Sequence, residues 1–384
     1  TKNQRYFPVL DRDGNLMPHF ITFANTRTED ETVVVRGNER VIRARLADAR
    51  FYYDEDRKAR LDSLLPKLAQ VTFEERLGSY ADKVARITEQ VRFLASFTDV
   101  QDEAFAEALR AAELCKADLQ TGVVYEFPEL QGTIGRYYAA RDGEVPSVCA
   151  ACEEHYWPRF ADDELPRESV SALIALADKM DTLAGCFAVG LIPSGTADPY
   201  ALRRQTLGIL RILIARGWRV PLKAWVGFSV ATLGGKCKRP VAEIEADVLR
   251  FVEGRYRALR GKDYRADLLD AVCLVGFDLL PDCEGKLAAL SQAAAGPEFK
   301  DLAAAFKRVM NILKQRVSVV VDPDLFEHEA ERRLWGSFQK TRDKAYSCLK
   351  SGDFKGAIEA FAELRPAVDA FFTDVMVMAE DPQK

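Results

Sequence analysis

Histidine is scarce: the 384 residues hold three, His19, His155 and His328. Neutral imidazole is a common ligand of catalytic metals and the usual acid–base group near neutral pH. Few imidazoles are therefore available to a metal centre, and none of the three is followed by Asp. Long apolar runs are also missing. The longest, such as residues 317–321, are strand-length and far short of the ~18–20 residues that span a bilayer, so no membrane segment is expected. There is no Gly-rich P-loop and no G-x-S-x-G elbow, which removes the two commonest local signatures of nucleotide hydrolysis and serine-based acyl transfer. No internal repeat and no low-complexity tract is present. The opening TKNQRYFPVL has no initiator Met, basic n-region or apolar h-region. No secretory signal is visible, and the chain is expected to start within a longer protein.

What is present is ordinary globular material. Hydrophobic residues make up 48% and charged residues 29%, enough for sizeable cores in two to three domains. Eight cysteines are scattered through apolar-periodic segments and read as reduced core thiols of a cytosolic protein. The net charge of −5 does not announce a nucleic-acid binder. It does not forbid one either, because phosphate binding depends on local patches.

The start of the chain alternates and turns. Residues 6–10 are strand-like, DRDGN (11–15) reads as a hairpin turn, and residues 20–23 and 32–35 read as further strands. Residues 38–53 switch to helical period. This is the pattern of the end of a β-containing domain, over residues 1–53. Residues 54–216 are nearly all helical, with clear helices at 61–68, 80–94, 103–119 and 169–180. A connector at 217–240, carrying Gly234-Gly235 and Lys236 to Pro240, separates this from a second helical domain over 241–384.

Four constellations bear on chemistry. Cys149-x-x-Cys152-x-x-His155 has metal-like spacing, but no second Cys pair is near. On a helix, steps of three sweep ~300° over the set, so the three do not share a face. Arg203, Arg204 and Arg211 follow the Asp198-Pro199 turn. Positions 204, 208 and 211 share one helix face, with Gly208 between the arginines. This is either a cationic shelf for an RNA backbone or partner carboxylate, or a Gly packing contact with internally paired arginines. On residues 297–316, Phe299, Leu302, Phe306, Met310 and Leu313 form an apolar face. Lys300, Lys307, Asn311 and Lys314 fall on another, suited to successive phosphates and a base edge or simply to solvent. RYRALRGKDYR (255–265) is the densest basic patch, with Arg255, Arg257 and Lys262 beside Tyr256 and Tyr264. Aromatics beside guanidinium groups suit unstacked bases, although the nearby glutamates offer local partners.

The longest irregular signature is residues 177–214, ADKMDTLAGCFAVGLIPSGTADPYALRRQTLGILRILI. It resembles a signature block of the β subunit of bacterial heterotetrameric glycyl-tRNA synthetase, close to DK(L/M)DTL-x-G-x-F followed by P-(T/S)-G-(S/T)-x-DP-(F/Y)-ALRR. RYFPVLDRDGNLMPHFITFAN at the start, VVYEFPELQGTIGRYYA (123–139), EEHYWPRF (153–160), AFKRVMNILK (305–314) and VDAFFTDVMVMAED (368–381) extend the resemblance over almost the whole chain. Family members are usually much longer.

The resemblance implies a mainly α fold. A degenerate HD-like helical domain precedes a helical-bundle anticodon-binding domain, with a short β-containing remnant at the N-terminus. It implies a cytoplasmic, tRNA-binding subunit of a glycine–tRNA ligase. The adenylation chemistry, with ATP and Mg, belongs to a separate α subunit in an α2β2 complex; class II synthetase ATP motifs are not evident in this sequence. Asp118 and Asp178 occupy degenerate HD positions, where a working phosphohydrolase would need histidines to complete a metal site. No cofactor, metal or catalytic residue is expected in this chain. Arg203, Arg204, Arg211, Arg255, Arg257, Lys262, Lys307, Asn311 and Lys314 are the candidate contacts to tRNA(Gly). The alternatives are an HD-type metal-dependent phosphohydrolase and a helical scaffold with no RNA role.

Overall fold

A computed structural model describes residues 6–25, 30–312 and 321–375. The chain divides into two compact units, one ending at Ala59 and one starting at Arg60. The first begins with an antiparallel hairpin, β1 (Phe7–Leu10) and β2 (Leu16–Ile21), in the register Phe7↔Ile21, Pro8↔Phe20 and Leu10↔Leu16. Its turn is closed by Asp11, whose Oδ1 accepts from the amides of Asp13 and Asn15 at 2.9 and 2.8 Å. Gly14, at φ +84°, supplies the left-handed residue such a tight turn favours.

The strand expected at 32–35 is helix instead. Helix α1 runs from Glu31 to Asp56. Asp30 caps it, its Oδ1 accepting from Thr32 N and Thr32 Oγ1 at 2.8 and 2.6 Å. A good cap followed by an uninterrupted helical pattern outweighs the modest strand preference of three valines.

The second unit is mainly helical. A 3-10 turn over Leu61–Gln70 leads to two short strands, β3 (Thr72–Glu74) and β4 (Gly78–Ser79), paired antiparallel. Ser79 and Asp82 then form a reciprocal capping box that fixes the start of α2 (Tyr80–Ala95). Helices α3 (Asp102–Leu114), α4 (Gly122–Glu126), α5 (Thr133–Arg141) and α6 (Pro146–Glu154) follow. At the centre lies α7 (Ser169–Ala188), buried at every position after Ser169 and packed by α2, α3, α6 and α8 (Leu202–Arg216). A helix apolar on all sides belongs in an interior. The run Asp178-Lys179-Met180-Asp181-Thr182 breaks that apolarity half-way along α7, so its charges need partners inside the protein.

The stretch 217–240, read above as a connector, is an integral part of this core. Its middle forms α9 (Leu222–Ala231), which packs on α2, α7 and the following α10 (Val241–Arg260). Trp225 is fully buried, and its Nε1 donates to Gln90 Oε1 on α2 at 2.7 Å. Glycines and basic residues at 234–240 mark a turn between packed helices, not a seam between cores. The remaining helices are α11 (Ala266–Val275), α12 (Leu280–Ala294), α13 (Pro297–Ile312), α14 (Glu329–Ser351), α15 (Phe354–Ala362) and α16 (Arg365–Asp374). Helix α12 bridges α8 and α15, while α14 packs on α15 and α16.

Candidate functional site

The charges of α7 meet a buried ionic cluster. Lys83, one turn into α2, places Nζ 3.0 Å from Asp178 Oδ1, 3.0 Å from Asp181 Oδ2 and 2.7 Å from Thr182 Oγ1. Arg86, one turn further on, gives Nε to Asp181 Oδ1 at 2.5 Å and Nη2 to Asp181 Oδ2 at 3.2 Å. Lys116, just after α3, donates to Asp178 Oδ2 at 2.9 Å and faces His155 Nε2 at 2.9 Å. His155 Nδ1 lies 2.9 Å from the Ala151 carbonyl. That geometry assigns the ring proton to Nδ1 and leaves Nε2 to accept from the ammonium.

The electrostatics follow. Burial alone would raise the Asp178 carboxyl, but Lys116 and Lys83 outweigh it and hold the group well below the usual carboxylate range. Burial, helped by Lys116, keeps His155 well below the ordinary imidazole value, hence neutral. Lys179 is the odd member. Its stem passes over Gly208, where a Cβ would lie 2.9 Å from Lys179 Cε. Its Nζ donates to the His155 carbonyl at 2.9 Å. Burial, with Lys116 and Lys83 adding to it and Asp178 opposing, pushes it down to about 7.

Asp178 is thus the centre of the cluster, but not with Asp118. Asp118 Oδ2 accepts from the amides of Gly132 and Gly135 at 2.5 and 3.2 Å, locking the turn before α5. Burial pushes Asp118 up to about 6, against those two amides. Asp178 is taken up by two ammonium groups and Asp118 by the backbone, so the two carboxylates do not converge on one metal position. Cys149, Cys152 and His155 do not converge either. His155 is fully buried with both ring nitrogens engaged, and burial pushes the Cys152 thiol well up.

A cavity of about 510 Å³ opens beside the cluster, lined by Lys83, Lys116, Asp178 and Lys179 from within and by Tyr156, Arg159 and Arg204 nearer the surface. The ADPYALRR segment shapes one edge. Asp198 caps α8 with both oxygens, accepting from Leu202 N at 2.7 Å and Arg203 N at 3.0 Å. Ala201 takes φ +52° to make that turn, a left-handed conformation uncommon for a residue with a Cβ. Its effect is to carry Arg204 to the mouth of the cavity.

The candidate tRNA contacts sort by what they touch. The guanidinium groups of Arg203 and Arg204 have no hydrogen-bond or ion-pair partner among the described residues. Arg211 is different, because it donates to the carbonyls of Ala161 at 2.6 Å and Asp163 at 2.9 Å. Together with Gly208, which is filled by Lys179, it serves intramolecular packing. In the 255–265 patch, Arg257 pairs with Glu253 at 2.8 Å and also with Asp270. Tyr256 is fully buried with its hydroxyl 2.8 Å from Glu284 Oε1, so it is a core residue and no stacking platform. Arg255 lies over the Phe251 ring, 5.8 Å from its centroid. Lys262 is exposed, as are Lys307 and Asn311 on α13. Phe306, expected in a buried stripe, is 42% exposed. Lys314 lies outside the described residues.

Sequence reasoning did not single out Lys83, Arg86, Lys116 or Lys179. The available signal was the unusual placing of charges within apolar helical segments, in AELCKADL and ALADKMDTLAG.

These features define a helical protein built around a buried cationic pocket, with unpartnered basic side chains on its surface. Among the described residues no group of three His, Cys, Asp or Glu is placed to hold a metal ion, and no helix is long and apolar enough to cross a membrane. A family model described as the glycyl-tRNA synthetase beta subunit matches residues 1–274. The chain belongs to that family. It is 47% identical over 378 residues to the glycine–tRNA ligase beta subunit of Geobacter sulfurreducens, covering 98% of this chain and 55% of that protein. It is 47% identical over 380 residues to the beta subunit of Geobacter sp. strain M21, covering 99% and 55%. With the beta subunit of Trichlorobacter lovleyi it shares 46% identity over 379 residues, with the same coverage of 99% and 55%. The chain spans about half the length of the curated relatives it matches.

Proposed function

We propose that this chain is the tRNA-binding portion of a glycyl-tRNA synthetase β subunit, supporting the ATP-dependent attachment of glycine to tRNA(Gly). The adenylation chemistry, with ATP and Mg, would belong to a separate α subunit in an α2β2 assembly in the cytoplasm. Residues 54–216 would correspond to a degenerate HD-like domain, with α9 of the 217–240 stretch packed into the same core. Residues 241–384 correspond to an anticodon-binding-like helical domain. The family match supports this assignment. The single structural observation that carries the RNA role is the pair Arg203 and Arg204. Two adjacent guanidinium groups without hydrogen-bond or ion-pair partners among the described residues, following an Asp198-capped turn, are free to neutralise phosphates. By contrast, Arg211 and Arg257 are occupied internally. A metal-dependent phosphohydrolase is disfavoured because both Asp178 oxygens are taken by lysine ammonium groups.

The test is tRNA(Gly) binding by the α–β complex with Arg203→Ala and Arg204→Ala combined. Each phosphate contact contributes about 0.7–0.9 to the slope of log affinity against log salt. The double variant is expected to weaken binding and flatten the slope by roughly 1–2 units, with unchanged helix content. Wild-type affinity and salt dependence in a folded double variant would exclude this surface from the tRNA contact.

A further inference from the structure

The charges around the cavity do not balance. Four cationic side chains are buried there, Lys83, Arg86, Lys116 and Lys179; Asp178 and Asp181 pair with the first three, while buried Asp118 is held by backbone amides and buried Asp163 by Arg159. The other carboxylates of the wall do not make up the difference. Glu153 is paired with Arg136 at 2.9 Å, and Glu129 is exposed at the rim. Lys179, and the exposed Arg204 outside that count, face the cavity without a carboxylate partner among the described residues. Lys179 Nζ, on a side chain 4% exposed, has one hydrogen-bond partner among the described residues, a carbonyl, and Arg204 at the mouth has none. Burying an ammonium beside two others without an anion is costly. Phe73, Tyr80 and Tyr200 line the same cavity, with Phe73 5.5 Å from Tyr80 and 6.3 Å from Tyr200 between ring centroids and Lys83 Nζ 4.4 Å from the Phe73 centroid. A cavity of about 510 Å³ lies within the ordinary range for small-ligand sites.

We propose that this pocket binds a small phosphate-bearing anion of nucleoside-monophosphate size, its phosphate between Lys179 and Arg204 and its apolar part against Phe73, Tyr80 and Tyr200. The bound dianion supplies the missing negative charge. Burial pushes Lys179 down to about 7, and an anion beside it would favour its charged form. The groups facing it are Asp178 on its own helix, Lys83 on α2, Lys116 after α3, and Asp163 beyond α6. Only Lys179 among them titrates near neutrality, so binding is coupled to proton uptake at that nitrogen. Arg204 is shared with the surface proposed for tRNA, so the pocket is told apart from it by Lys179, which lies inside the cavity, and by an assay that contains no RNA.

The experiment is calorimetric titration of this chain with inorganic phosphate and with AMP near pH 7.5, each in two buffers of different ionisation enthalpy. Both ligands are expected to bind with net proton uptake. AMP is expected to bind about tenfold more tightly than phosphate, the scale of one aromatic stacking contact. Arg204→Ala, an exposed change that leaves the melting curve in place, is expected to weaken AMP about tenfold. Lys179→Met is expected to abolish the proton uptake. Absence of binding by both ligands at millimolar concentration overturns the site, as does an Arg204→Ala variant that binds AMP like the wild type. Phosphate binding without any AMP binding overturns the mononucleotide assignment.

Discussion

Lys116 Nζ sits 2.9 Å from Asp178 Oδ2, in the middle of the protein, where the sequence placed one isolated Lys and one isolated Asp sixty-two positions apart. The pair joins the turn after α3 to the central helix α7 and fixes one wall of the cavity. Lys83 approaches the other oxygen of the same carboxylate, so Asp178 is shared between two elements.

Removing that carboxylate should be expensive. Asp178→Asn leaves Lys83 with Asp181 but strips Lys116 of its ion-pair partner among the described residues. Breaking a buried ion pair from one side costs about 3–5 kcal/mol. Urea denaturation of the variant should show that loss; a midpoint within error of the wild type would mean the pair contributes nothing.

The stability of the wild type should rise between pH 7 and 8.5 through Lys179. Its folded value is about 7, below the ordinary lysine value, so over this window the unfolded chain binds more protons than the folded one. Stability then increases with pH. Lys83 and Lys116 are shifted the other way and titrate above the window. Lys179→Met should flatten the slope measured by denaturation at pH 7.0, 7.75 and 8.5. An unchanged slope assigns the titration elsewhere.

Gln90 tests whether the 217–240 stretch shares a core with α2. Its Oε1 accepts from Trp225 Nε1 at 2.7 Å and from Ser229 Oγ at 3.1 Å. Gln90→Leu leaves the indole N–H without an acceptor and should cost about 1–3 kcal/mol. The loss should appear in a single unfolding transition monitored by both near- and far-ultraviolet dichroism. Two transitions, with only one displaced, would argue for independent cores.

On the C-terminal helices the exposed lysines are the ones to remove. Lys262→Ala combined with Lys307→Ala should reduce tRNA affinity in the assembled synthetase and flatten its salt slope by roughly 1–2 units. Arg257→Ala is expected to act mainly on stability, since its guanidinium already holds Glu253 and Asp270. Equal effects of the two changes on tRNA binding would contradict this division.

Much of the helical plan was legible because α2 and the start of α7 carry clear capping or periodic signals over many residues. Residues 32–35 were not, because three consecutive valines look like a strand until the Asp30 cap is recognised as a helix start. The role of 217–240 was hidden for a different reason. Glycines and basic residues punctuate a turn inside a core as they do a linker, and only the packing of Trp225 against α2 distinguishes the two. Phe306 and Tyr256 reversed places for the same reason. Periodicity assigns a residue to a helix face, but it does not say which neighbour covers that face.

The sequence by itself determined the family, through the long irregular block at 177–214, and the mainly helical class. Only the tertiary structure decided what the charges do. Asp118 and Asp178 look alike in sequence, yet one caps the turn before α5 and the other is clasped by two lysines. Arg204 and Arg211 share a helix face, yet one is free and the other is spent on carbonyls. The reason is physical: a hydrogen-bonded ion pair forms only between groups brought within a few ångströms of each other. Its partners come from helices distant in the chain, and no local pattern records their approach.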